Sequence, residues 1–463
     1  MEFGSVAFIL RFLPIFFILY FVVPGRMKNV ILLLGSLCFY AWGKPILVIP
    51  MIVSAISDFI FGLRIEKHRG KSSAKILLFS ALFFDMGLLF FFGYADFFVE
   101  TANSLLGTGV GKLGFPAPVG ITVYTLQTMS YVIDVYRGNC KAARNILEYG
   151  TFVTMFPQLP AGPILKYRDM QASLHQRKMD LSMIATGTKR FCVGLTKKVL
   201  VADAAMQLWN MILEGKPGGM SIATAWLGMA AFGFAIYFTY SGYCDIAIGL
   251  AGTMGFSFPE NYDHPYSATT VTEFLRRWNL TLTKWMKEYF FRPLTDGKKN
   301  VFLRILVLVA TWGLIGFWYG PDWTFVLWGV WLVLFYVLEK LFLGKLISLL
   351  PRVVGWCYVM LVVAIGWLLF ALDDVKDAWA YLQAMLGMDC SGLIDNRFWF
   401  LVREYLPTLL LGTLFCLPFI GRMLRRVETG KSGMAIAIKR LLEKVYPAVF
   451  LLASLVYLVG RGW

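Results

Sequence analysis

Residues 273–294, EFLRRWNLTLTKWMKEYFFRPL, lead through a short polar break into ILVLVATWGLIGFWYGPDWTFVLWG at 305–329. The second stretch is apolar for long enough to cross a bilayer, since a helix needs roughly 20 residues to span the hydrocarbon layer. A compact polar and aromatic cluster interrupts it at Trp318–Asp322. Polar groups at membrane depth are costly and mark functional sites by default. The first stretch places Phe274, Trp278, Leu282, Trp285 and Tyr289 at spacings of 4, 4, 3 and 4. At 3.6 residues per turn these side chains share one face, so the spacing predicts one helix over Glu273–Leu294. Arg276, Arg277, Lys284 and Lys287 fill the remaining faces. Such a helix lies at a membrane interface or edges the mouth of a tunnel.

Working outward, similar apolar runs recur at 8–23, 76–94 and 359–372. The chain has 463 residues, is 58% hydrophobic and only 16% charged, and has a mean hydropathy of +0.65. An ordinary soluble domain is about 25% charged. The runs do not alternate as barrel strands would. The expectation is an all-α, polytopic integral membrane protein with about 10–12 spanning or re-entrant helices. Ser5–Val23 has no charged segment before it and no small-residue cleavage site, so it reads as a retained first span. Residues 30–63 must cross and return, with a break at Gly43-Lys44-Pro45.

The net charge of +16 would suggest nucleic acid in a soluble chain. Here the basic residues gather in short loops, at Arg26, Arg64–Lys75, Arg137–Arg144, Arg422–Arg426 and Lys439–Arg440. The positive-inside rule accounts for them. It places the first three on the cytoplasmic side, with the N-terminus and Gly107–Pro116 outside, and no nucleic-acid partner is expected. Lys189–Lys198 reads as a basic amphipathic segment at the cytoplasmic interface. Residues 151–170 carry several Pro and Gly breakers after an apolar start. Irregular backbone at membrane depth survives only when buried in protein or lining a cavity, so a re-entrant segment is expected there. Asp245 lies inside an apolar helix, as either a functional carboxylate or a hydrogen-bonded structural one. The seven cysteines are odd in number and show no CxxC spacing, so neither a disulfide framework nor a metal site is supported. No internal repeat is evident, and one integral domain over 1–463 is the simplest reading.

PVGITVYTLQTMSYVIDVYRG (118–138), FPQLPAGPILKYRDM (156–170), the block from Ser241 to Leu294, and GFWYGPDWTFVLWG (316–329) resemble, in order and spacing, the membrane-bound O-acyltransferase family. The similarity is greatest to the branch of bacterial alginate O-acetyltransferases and teichoic acid D-alanyl transfer proteins, and the matched core runs over about 118–329. The resemblance implies tilted helices around a central tunnel. It implies a donor thioester, on coenzyme A or a carrier protein, entering from the cytoplasm, with no bound cofactor. It further implies transfer of a short acyl group, acetyl in this branch, to a hydroxyl of an extracytoplasmic glycan. The bacterial cytoplasmic membrane is the expected location, and an extracytoplasmic hydrolase-like protein the expected partner.

The family's catalytic His stands in a G-[FIL]-W-H-G-type motif, and a second His often follows RRW. This chain has Tyr319 and Asn279 at those positions. A base must take the acceptor's proton, and His suits that task because its pKa of about 6.5 lies near working pH. A neutral phenol is a hydrogen-bond donor to an oxyanion and a poor base. The candidate catalytic residues are therefore Tyr319 and Asn279, with Asp322 as a further carboxylate whose rival role is a helix N-cap. Arg276, Arg277, Trp278, Trp285, Trp318 and Trp323 are the candidate donor- and tunnel-binding residues, the arginines toward phosphate and the tryptophans along an acyl path. Of the three histidines, only His264 lies near this block in sequence. Two readings remain open: an O-acyltransferase, or a catalytically degenerate member acting as scaffold or partner subunit.

Overall fold

The apolar runs fold as helices, and no strand occurs among the described residues. The structure is a computed structural model and describes residues 2–177, 179–215, 219–298, 300–417 and 433–460. The basic stretch at Arg422–Arg426 and the side chains of Lys439 and Arg440 lie outside the described residues.

Among the described residues, six helices are long and apolar enough to cross a membrane: Pro45–Lys67, Ser72–Leu106, Ile222–Thr253, Val301–Tyr319, Trp323–Ser348 and Arg352–Ala371. A seventh candidate is the pair Asn396–Glu404 and Leu406–Cys416, bent by 68°. Phe8–Val22 and Val445–Gly460 are apolar but shorter. The protein is thus an all-α, multi-pass membrane protein, in which part of the apolar sequence is spent on short and bent helices. Outward faces are apolar, as lipid permits: Phe83 on Ser72–Leu106 is 82% exposed.

The described chain forms two compact units. The first comprises Met1–Phe191 with Ile246–Pro259. Here Lys28–Ala41 and Pro45–Lys67 are separated by the expected break, with Gly43 at φ 96°. Pro45 opens the second helix, where its missing N–H costs nothing. Ile121–Arg137 is buried along most of its length and packs against Pro45–Lys67 and Ser72–Leu106. After helix Ile146–Thr154 the backbone runs irregularly to Lys166, almost entirely buried. Burial in protein is one of the two settings in which such backbone was expected.

The second unit comprises Cys192–Asp245 with Glu260–Trp463. Its tightest helix pair is Val301–Tyr319 against Trp323–Ser348, joined by the Gly320–Asp322 turn. Gly316 and Gly329 set that approach. A methyl group at Gly316 would lie 2.0 Å from the Phe325 carbonyl oxygen, and one at Gly329 would lie 2.1 Å from that of Trp312. Small residues at facing positions are how membrane helices reach backbone contact.

One expectation is corrected. Glu273–Leu294 is not one helix. It divides into Val271–Arg277, Leu280–Met286, a π-turn over Lys287–Phe291, and Arg292–Thr295. The five residues of the expected face are all buried nonetheless. The last two basic residues of the Lys189–Lys198 segment are paired within the protein. Lys197 pairs with Asp245 at 2.6 Å, and Lys198 pairs with Asp203. An intramembrane carboxylate is tolerable when a hydrogen-bonded cation neutralises it, and Lys197 supplies that charge to Asp245.

Candidate functional site

The site is built around the break at Trp278-Asn279. The helix before it starts with a capping arrangement: the Thr270 side chain accepts from Glu273 N–H at 3.1 Å, and Glu273 reaches back to Thr269 N–H at 2.8 Å. A second carboxylate arrives from another helix. Glu339 accepts from Val271 N–H at 2.6 Å, Thr272 N–H at 2.8 Å and the Thr272 hydroxyl at 2.6 Å. It is buried, and it satisfies amide groups that a helix start otherwise leaves unpaired. Glu339→Ala is expected to cost about 2–4 kcal/mol, because it strands three donors at once, the Val271 N–H among them buried. A thermal unfolding midpoint within a degree of wild type would show that this anchor is dispensable.

Asn279 adopts the left-handed conformation, φ 41° and ψ 61°. Asn tolerates that region better than any residue except Gly. The loop Glu260–His264 holds the kink from the side. Asn261 accepts Leu280 N–H at its carbonyl, and Thr281 N–H and hydroxyl at its side-chain oxygen, each at 2.9 Å. Its amide nitrogen donates to Cys244 Sγ at 3.3 Å. Non-Gly residues held at positive φ cluster at functional sites, where the surroundings over-determine them. The other one here is His264, in the same loop.

The break turns Trp278 and Asn279 toward the end of helix Val301–Tyr319. The Tyr319 hydroxyl oxygen accepts from Asn279 Nδ2 at 2.8 Å and from Trp278 Nε1 at 3.0 Å. The Tyr262 hydroxyl lies beside the same oxygen. Burial, reinforced by the Tyr319 phenol beside it, holds the Tyr262 hydroxyl well above its ordinary pKa, so it stays protonated. Rings of Tyr240, Trp318, Trp328 and Phe370 meet the Tyr319 ring edge-on, with centroids 5.2–5.4 Å away. Two donors aimed at one oxygen are the chemistry of an oxyanion site.

Of the residues singled out from sequence, Tyr319, Asn279, Trp278 and Trp318 come together. Trp285 is buried in the second short helix, its ring 5.0 Å from that of Tyr289. Arg276 is exposed. Arg277 does not offer its charge to a ligand. It bonds Glu273 and the Ser267 hydroxyl, each at 2.6 Å, and the His264 carbonyl at 3.4 Å, which makes it a tie for the loop. Asp322 is occupied as a cap, accepting Thr324 N–H at 2.8 Å, rather than aimed at Tyr319. Trp323 is 55% exposed, as an interfacial anchor is. His264 lies beside Asp263 at 3.3 Å, 39% exposed at its side chain. Tyr262, Tyr240, Asn261 and Glu339 belong to the site and its supports but were missed. Only the position of Tyr262 in the same loop as His264 hinted at it.

An apolar cleft of about 430 Å³ lies near the cluster, lined by residues that include Trp226, Phe234, Tyr266, Trp356 and Trp367. The Trp367 ring stands between cleft and cluster, with centroids 5.1 Å from Trp278 and 5.6 Å from Trp328.

A family model described as the membrane-bound O-acyltransferase family matches residues 142–372. A probable alginate O-acetylase of Azotobacter vinelandii is 34% identical over 89% of this chain and 83% of its own length. The corresponding protein of Pseudomonas aeruginosa is 34% identical, over 89% of this chain and 79% of its own. A peptidoglycan O-acetyltransferase of Helicobacter pylori is 29% identical over 84% of this chain and 80% of its own.

Proposed function

Because the chain belongs to the membrane-bound O-acyltransferase family, we propose that it moves an acetyl group from a cytoplasmic thioester to a hydroxyl of an extracytoplasmic glycan. The donor in this reading is coenzyme A or a carrier protein, and an extracytoplasmic hydrolase-like partner completes delivery. The names of the relatives support the acyl group and the acceptor class. The observation that carries the reading is the convergence of Trp278 and Asn279 on the Tyr319 oxygen, with the Tyr262 hydroxyl beside it.

The transfer forms one C–O bond and breaks one C–S bond. The acceptor's proton leaves with the thiol. Tyr319 relays it: its oxygen accepts the acceptor's proton as its own O–H proton passes to the leaving thiolate, and the hydrogen bonds from Trp278 and Asn279 offset part of the cost of negative charge building on that oxygen. Trp278 and Asn279 act through Tyr319 as positioning groups. The exposed Arg276, Lys284 and Lys287 supply positive charge for a phosphorylated donor. The cleft beside Trp367 suits a slim, partly apolar arm such as pantetheine.

One observation favours a second reading. The Tyr319 oxygen already has two donors, and its ring is enclosed by four aromatic neighbours. That arrangement also serves a member that keeps the fold as a scaffold or partner subunit. Membranes carrying the protein, supplied with labelled acetyl thioester, decide between the two. Glycan-linked ester in wild type, lost in Tyr319→Phe, is the expected result. Wild-type membranes that neither bind the thioester nor form ester would favour the scaffold.

A further inference from the structure

The first unit contains a second polar cluster that acyl transfer does not use. Asp58 on Pro45–Lys67 and Asp85 on Ser72–Leu106 are 0% and 1% exposed, and their carboxyl groups are in hydrogen-bond contact. The Ser54 hydroxyl lies 3.4 Å from Asp58 Oδ2 and 3.3 Å from Asp85 Oδ1. The Thr128 hydroxyl, on Ile121–Arg137, lies 3.0 Å from Asp85 Oδ2. Tyr124 and Tyr149 are 0% exposed, and their hydroxyl groups have no hydrogen-bond partner. Both lie within electrostatic reach of Asp85, and Tyr149 also of Asp58. Asp58 Oδ1 is buried without a partner as well.

Two touching carboxylates cannot both ionise without compensation. One shared proton still leaves a net negative charge at membrane depth, where an unpaired charge is expensive. Among the described residues no Lys, Arg or His forms an ion pair with either carboxylate. Four helices instead bring six oxygen-bearing side chains together, several with free lone pairs. A proton needs one acceptor, whereas a hard cation needs several oxygens. We infer that Asp58, Asp85, Ser54 and Thr128, with the Tyr124 and Tyr149 hydroxyls, form a buried site for one sodium-sized monovalent cation.

The site is independent of Tyr319 and of the acyl-transfer reading, and its test needs no activity. The full-length protein in detergent is unfolded thermally at mildly alkaline pH in sodium chloride, and in choline chloride at the same ionic strength. Sodium is expected to raise the midpoint saturably, on the order of 3–5 °C. The double variant Asp58→Asn with Asp85→Asn, which keeps the shape and removes both charges, is expected to abolish the response. Ser54→Ala is expected to shift it to higher sodium concentration. Equal midpoints for wild type in both salts would overturn the proposal, whether or not the variants fold. So would a midpoint that rises on acidification with no response to sodium, since the pair would then be holding protons.

Discussion

Tyr319→His is expected to raise acyl transfer by about 10²–10⁴, the range that a positioned general base contributes. The argument begins with what surrounds the phenol. Trp278 can only donate, so whatever occupies position 319 must present an acceptor to it. A neutral imidazole does so with one ring nitrogen, and the Asn279 amide can turn its oxygen to the other. The acceptor hydroxyl then meets a base whose pKa lies near working pH instead of a phenol. The edge-on rings of Tyr240, Trp328 and Phe370 hold a smaller ring less tightly, so some of the gain is lost to looser positioning. Initial rates of glycan-linked ester formation measure the effect. Equal rates in wild type and variant, both well above background, would place the base somewhere other than position 319. Tyr319→Phe separates packing from chemistry. It preserves the ring contacts and leaves the Trp278 and Asn279 donors without a partner, at a stability cost of about 1–3 kcal/mol.

The sequence was most informative where packing dictates residue type, and least where loops meet. Phe274, Trp278, Leu282, Trp285 and Tyr289 are all buried as their spacing requires, yet the helix carrying them breaks in the middle. Periodicity reports which side chains face the core, and two short helices around a kink can satisfy that demand as well as one long helix. The local signal was Asn279, a residue that accepts the left-handed conformation, but it lay inside a strong pattern. The Asp322 cap was legible because Pro-Asp-Trp-Thr ahead of an apolar run is a local motif. Glu339 was not, because its partners Val271 and Thr272 are 67–68 residues away. Asp58 and Asp85 were invisible for the same reason. Each is a single acid in an apolar run, and only the pairing of two helices brings them together.

Gly329→Val is expected to prevent stable folding, and Gly329→Ala to cost about 3 kcal/mol or more. The added carbon would lie 2.1 Å from the Trp312 carbonyl oxygen, 2.9 Å from the Trp312 carbonyl carbon and 3.4 Å from the Gly316 backbone nitrogen. These are backbone atoms of a long helix, so no side chain can swing aside to relieve the overlap. Moving the two helices apart would empty the seam on both sides of the contact and forfeit its dispersion energy, which is the main attraction between helices in lipid. Gly313→Ala on the facing helix Val301–Tyr319 is the control. There the new methyl meets Val326 Cγ1 at 3.6 Å, an ordinary contact, and Ala favours the helix over Gly by up to about 1 kcal/mol. Monodisperse yield and thermal midpoint in detergent should therefore fall steeply for the Gly329 variants and hold or rise for Gly313→Ala. Equal tolerance at both positions would mean that the helices do not approach this closely. Tyr319 ends the first helix of this pair, and Trp328, whose ring meets it, is carried by the second. The same substitution should accordingly separate the Tyr319 oxygen from Asn279 and abolish acyl transfer in whatever fraction still folds.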